Sequence, residues 1–174
     1  MPFHFASTRR ALPALLIFLA GCSLFQSEKA APPCPRASLI DGADRVVRYA
    51  GEGRASQDVA FTASILSVAG DCEFSDDQRR VTMNMKVRIA GSRGPALVGK
   101  EAPLSYFVAI IAPDGKILVR DEFDTAIPLT DDRAIIAEEL QPVIPLAEGR
   151  RAASYTVFVG LVITEEELEA NRKR

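Results

Sequence analysis

Beyond residue 40 the chain reads as alternating apolar runs divided by turn residues. The clearest run is 81–89. Val81, Met83, Met85, Val87 and Ile89 alternate there with Thr82, Asn84, Lys86 and Arg88. A period of two gives a strand one buried face and one wet face. Two methionines at this spacing suit core packing rather than a copper site, since no histidine accompanies them. Residues 45–50 carry Val46, Val47 and Tyr49, and residues 58–68 carry Val59, Phe61, Ile65 and Val68. Gly70 and Asp71 are expected to end the second of these runs. Residues 91–103 hold Gly91, Gly94, Pro95, Gly99 and Pro103 and read as a loop.

Residues 104–112 are apolar on both faces, which suits a central strand. Pro113-Asp114-Gly115 is a turn, because proline presets φ and glycine accepts the left-handed conformation. Residues 117–123 then return as the partner strand of a hairpin. The polar stretch 124–133, with Pro128, reads as a loop. In 134–140 both periods fit, and the surrounding turn signals favour strand over helix. Glu148-Gly149 mark another turn. In 154–163, Tyr155, Val157, Val159, Leu161 and Ile163 share one face. The chain closes with Thr164-x-x-Glu167, a capping box. Glu165 and Glu166 then suit the positive start of a short helix, and Arg172, Lys173 and Arg174 suit its end. Leu168 is its expected apolar contact.

About seven short strands and one terminal helix predict an all-β fold, an antiparallel sandwich of immunoglobulin or fibronectin type. A small barrel is the rival. Nothing alternates strand with helix, so no parallel sheet is expected. Tryptophan is absent and Cys34 precedes the first expected strand, so any immunoglobulin likeness is architectural.

The N-terminus follows a different logic. Arg9 and Arg10 precede an uncharged stretch, 11–20, interrupted by Pro13. Ten residues of helix cover about 15 Å, half of a bilayer core of about 30 Å. This reads as a cleavable secretory signal rather than a membrane span. Its end, Leu19-Ala20-Gly21-Cys22, resembles the lipobox of bacterial lipoproteins. The resemblance implies peptidase recognition through Leu19, Ala20 and Gly21, cleavage after Gly21, and a diacylglycerol thioether on Cys22. It makes the membrane a partner, held by acyl chains worth about 0.8 kcal/mol per buried CH₂. Ser23, by similarity to enteric lipoproteins, favours the outer membrane. The runs Cys34-Pro35-Arg36-Ala37-Ser38-Leu39-Ile40 and Tyr155-Thr156-Val157-Phe158-Val159-Gly160 are similar to proteobacterial envelope lipoproteins and bring no activity with them.

On this reading residues 1–21 are the signal, 22–33 a lipidated tether and 34–174 one β domain. Removing 21 of 174 residues leaves 153. The signal takes two arginines and no acid, so 19 basic and 23 acidic residues leave a net charge of about −4. Without a basic run along the sequence, no nucleic-acid partner is expected. Anchoring to lipid falls to the acyl chains. His4 is the single histidine and departs with the signal, which excludes Ser-His-Asp and Cys-His catalysis and removes the commonest metal ligand. With Cys22 given to lipid, Cys34 and Cys72 are an even pair in an oxidising compartment. A disulfide is expected, with two free thiols as the alternative.

Acidic pairs occur at Asp76-Asp77, Asp121-Glu122, Asp131-Asp132 and Glu138-Glu139. Two carboxylates about 5–10 Å apart can cleave a glycoside, but an acidic chain supplies such pairs by chance. No calcium-loop or phosphate-loop pattern is present, so no cofactor and no metal site are expected. Arg79 and Arg80 read as a wet strand start, and Phe107, Phe123 and Phe158 as core aromatics. The expectation is a non-enzymatic envelope module, lipid-anchored and facing an envelope protein partner. A carboxylate-based enzyme on cell-wall polymer and a periplasmic small-ligand binder are the alternatives. The module requires co-purification with a membrane partner and no pocket, the enzyme a cleft holding two of the named acids, and the binder an enclosed apolar cavity.

Overall fold

The computed structural model describes residues 32–173, so the signal, the lipobox and Cys22 lie outside the described residues. Within them the chain is all-β and sandwich-like, two sheets with one short C-terminal helix. The strands are β1 (Arg36–Leu39), β2 (Arg45–Tyr49), β3 (Val59–Phe74), β4 (Arg80–Arg93), β5 (Glu101–Ile111), β6 (Ile117–Pro128), β7 (Arg133–Leu140), β8 (Val143–Pro145) and β9 (Thr156–Leu161). The helix is α1 (Glu165–Arg172). One sheet has the order β1-β9-β5-β6 and the other β2-β3-β4-β7, with β8 also on β4.

The alternation in β4 is observed as expected: Val81, Met83, Met85, Val87 and Ile89 are all buried. They face Leu104, Tyr106, Val108 and Ile110 of β5 and Val157, Val159 and Leu161 of β9 in one core. The strand β5 lies between β9 and β6, and on its outer face Phe107 is covered by the Arg120 guanidinium and lies against Gly160. The Asp114-Gly115 turn closes β5 onto β6, with Gly115 at φ 85°. The ambiguous segment 134–140 is strand, paired antiparallel to β4 from Met85↔Leu140 to Ser92↔Arg133.

Three expectations about strand ends are corrected. The strand β3 does not stop at Gly70 and Asp71 but runs on to Phe74. A Cβ on Gly70 would stand 2.0 Å from the Asn84 carbonyl oxygen, so the glycine permits a close approach of two strands rather than ending one. Likewise β4 continues through Gly91 to Arg93, because Ile127 fills the space a side chain there would need. The loop shrinks to 94–100. The strand β6 passes Asp124 to reach Pro128, which stands at the strand's end on an edge, where no ladder donor is missed.

Two strands go beyond the sequence expectation. The short β8 continues the line of β7 along β4 after a break at Gln141-Pro142. The strand β1 pairs parallel to β9, from Arg36↔Thr156 to Leu39↔Val159, the exception to an otherwise antiparallel architecture.

The Cys34–Cys72 disulfide is formed, with Cα atoms 5.8 Å apart across 38 residues. It ties the chain just before β1 to the far end of β3. Closing a loop of that length is worth about 3–4 kcal/mol in the chain-entropy account. The capping box is also formed. Thr164 Oγ1 accepts from the Glu167 N–H at 3.2 Å, and Glu167 Oε2 accepts from the Thr164 N–H at 2.8 Å. The helix is fastened to β2 by an Arg48–Glu167 ion pair. The buried Asn171 amide adds two bonds of 2.8 Å, donated to the carbonyls of Gly42 and Arg45.

Candidate functional site

Each sheet ends in a long strand on the same flank of the sandwich, β6 in one and β7 in the other. Their inner faces meet near one end, where the Thr125 hydroxyl donates to Glu138 Oε1 at 2.7 Å. Toward the other end they part and leave a cavity of about 260 Å³. Its walls are Val108 and Ile110 of β5, Val119 and Phe123 of β6, and Leu140 and Pro142 beside the β7–β8 break. Asp121 and Glu139 complete the lining.

The periodicity of β6 explains why a carboxylate is there. Ile127 is buried and Val119, Phe123 and Thr125 are half-buried, so the odd positions face the core. Asp121 occupies one of those inward positions between Val119 and Phe123. On β7 the even positions face inward, with Ile136 opposite Ile89 and Leu140 opposite Met85, which places Glu138 inward as well. An inward charge on an edge strand discourages pairing with another chain. The seam thus carries Asp121 from one sheet and Glu138 from the other. Phe123 stacks on Tyr106, ring centroids 5.3 Å apart. Burial pushes the Tyr106 phenol up to about 12, and the Glu138 carboxylate adds to the shift.

The acids named from sequence scatter. Asp76 and Asp77 sit in the β3–β4 turn. The Ser75 hydroxyl and the Arg79 N–H hold the Asp77 carboxyl below the usual carboxylate range. Asp131-Asp132 lie in the β6–β7 turn at the opposite end. Glu122 faces outward and pairs with Arg120, whose guanidinium lies 4.4 Å from the Phe107 ring centre. Glu139 is at the cavity's rim, paired with Lys86 at 2.9 Å. Asp121 has no ion-pair partner among the described residues. The cavity therefore holds two of the named acids, one of them occupied by a lysine, and its presence departs from the pocketless surface expected of a binding module.

A wider groove of about 430 Å³ lies between β2 and α1. Both of its arginines are already engaged: Arg48 with Glu167 and the Val162 carbonyl, Arg54 with the carbonyls of Gly51 and Gly53. It is a packing groove under a helix. Among the described residues no three His, Cys, Asp or Glu side chains converge as metal ligands would.

The end of the sandwich where Cys34 lies is distinct. It gathers the β3–β4 and β5–β6 turns, β8 and the segment that follows it. Arg36, Arg79, Arg80, Arg150 and Arg151 come to that end from three parts of the chain, exposed and without ion-pair partners among the described residues. No basic run exists in sequence, yet the fold assembles one beside Asp76, Asp77 and Glu148. The signal lay in arginines separated by more than a hundred residues, which no local window joins. No family model, no curated protein and no solved structure matches this chain.

Proposed function

We propose that this chain is a lipoprotein of the bacterial cell envelope, anchored by acyl chains on Cys22 to the periplasmic face of the outer membrane. It acts as a non-enzymatic binding or assembly module for another envelope protein. The observation that carries the reading is the covalent entry of the chain at Cys34. With the Cys34–Cys72 bond formed, the domain begins at a fixed point two residues before β1. Eleven residues separate that point from Cys22, a reach of about 40 Å at full extension. A lipid on Cys22 would hold the domain within that reach of the bilayer. The pairing of Glu139 with Lys86 favours this reading over the carboxylate-enzyme alternative.

The test is the mass of the N-terminal peptide of protein recovered from fractionated membranes, for the natural chain and for Cys22→Ser. The expected result is a diacylglyceryl mass on Cys22 and recovery with the outer membrane, both lost in Cys22→Ser. A natural chain found soluble with an unmodified Cys22 overturns the reading.

A further inference from the structure

Two strand edges without partners among the described residues flank one apolar cavity on the same side of the domain. The strand β6 is the last in its sheet along twelve residues, and β7 with β8 forms the facing edge, broken at Gln141-Pro142. An unpaired edge offers backbone donors and acceptors to an extended peptide, and alternate pockets choose its side chains. The only carboxylate that faces into the cavity from β6 is Asp121, which has no cation among the described residues. Arg120 points to the opposite face, committed to Glu122 and Phe107. A partner that buries the cavity's mouth without supplying a positive charge would leave Asp121 desolvated and alone, which is costly.

We infer that the seam between β6 and β7 docks an extended segment of a partner protein. An apolar side chain of that segment enters between Val119 and Leu140, and a lysine or arginine two residues along meets Asp121. The inference deepens the binding-module reading and rests on it for the partner, though not for the site. Specificity comes from repulsion as well as attraction, because an acidic segment places like charges together at Asp121.

The probes are two synthetic peptides of alternating valine and threonine, alike except for a central lysine or a central glutamate. Each is titrated by fluorescence anisotropy against the full chain purified from membranes in detergent. The lysine peptide is expected to bind at least tenfold more tightly. It should slow amide exchange along 117–123 and 139–143. Asp121→Asn should abolish the preference and Asp121→Lys should reverse it. Asp121 is exposed and has no ion pair among the described residues, so both variants are expected to fold, and unchanged exchange in β4 checks this. Equal binding of the two peptides, protection confined to the β2–α1 groove, or occupation of the seam by a second copy of the chain overturns the inference. The N-terminal mass of the same sample reports lipidation separately, so loss of the anchor and loss of the slot are read as different failures.

Discussion

At the scale of single residues, two buried polar groups set measurable properties. Tyr106 is 1 % exposed, and its phenol is pushed up to about 12 by burial and then by Glu138. In an unfolded chain a phenol ionises near 10. Below pH 10 the stabilisation is fully present. As pH rises from 10 through 12 it is lost, because the unfolded state gives up its proton first. Denaturant midpoints measured across that window should fall with pH. In Tyr106→Phe the same window should be flatter, and ultraviolet titration should lose a tyrosine that ionises at about 12. Asn171 poses the complementary case, an amide 7 % exposed that donates to two backbone carbonyls of the β1–β2 connection and β2. Asn171→Ala leaves both carbonyls without that donor and should cost about 1–3 kcal/mol. Urea unfolding measures it, and a cost near zero would mean that water replaces the amide without loss.

At the scale of elements, register decides what each strand presents, and β3 is the informative case. Phe61, Ala63 and Ile65 face inward on odd numbers, but Cys72 and Phe74 face inward on even ones. The phase changes at Leu66, the bulged residue between Ile65↔Ile89 and Ser67↔Arg88, which is 48 % exposed. Deleting Leu66 should therefore straighten the strand and keep Val68 on Val87 and Cys72 on Met83. The variant should fold with no free thiol at Cys34 or Cys72, at a cost of no more than about 1–2 kcal/mol. Thiol titration of the unfolded, unreduced protein checks this. The same physics marks what could be read from sequence. The alternation in 81–89 was legible because β4 has a buried face and a wet one along its whole length. The capping box was legible because both of its partners are local. Gly70, Gly91 and Pro128 misled because each resembles a stop signal, while its actual role depends on an atom from another strand. The strand β1 was missed because four residues show little period, and its partner β9 lies near the other end of the chain. The inward place of Asp121 was within reach, since Val119, Phe123, Thr125 and Ile127 share its parity. Ending the strand at 123 cut the series that reveals it.

At the scale of the whole molecule, an open sandwich has four edges, and each is guarded differently. The edge at β1 is four residues long. The edge at β2 is overlaid by α1 through Arg48–Glu167 and Asn171. The edge at β7 carries the inward Glu138 and is interrupted before β8. The edge at β6 is the longest, and Ile117 and Leu118 at its start are 62 % and 41 % exposed. Its principal guard is the inward Asp121, supported by Pro128 at the far end. A charge at that place keeps the seam open to water and forbids closure by an indifferent apolar strand, including β6 of a second copy. Asp121→Val removes the guard and adds a side chain whose full burial is worth about 1.5–3 kcal/mol. The variant should pair edge to edge through β6, and its association constant should rise by about tenfold or more over the natural chain. Sedimentation equilibrium reads the change, and amide exchange locates it, with protection expected along 117–127. If Asp121→Val stays as monomeric as the natural chain across the same concentrations, the β6 edge is closed by something other than charge, and the seam loses its claim to selectivity along with its guard.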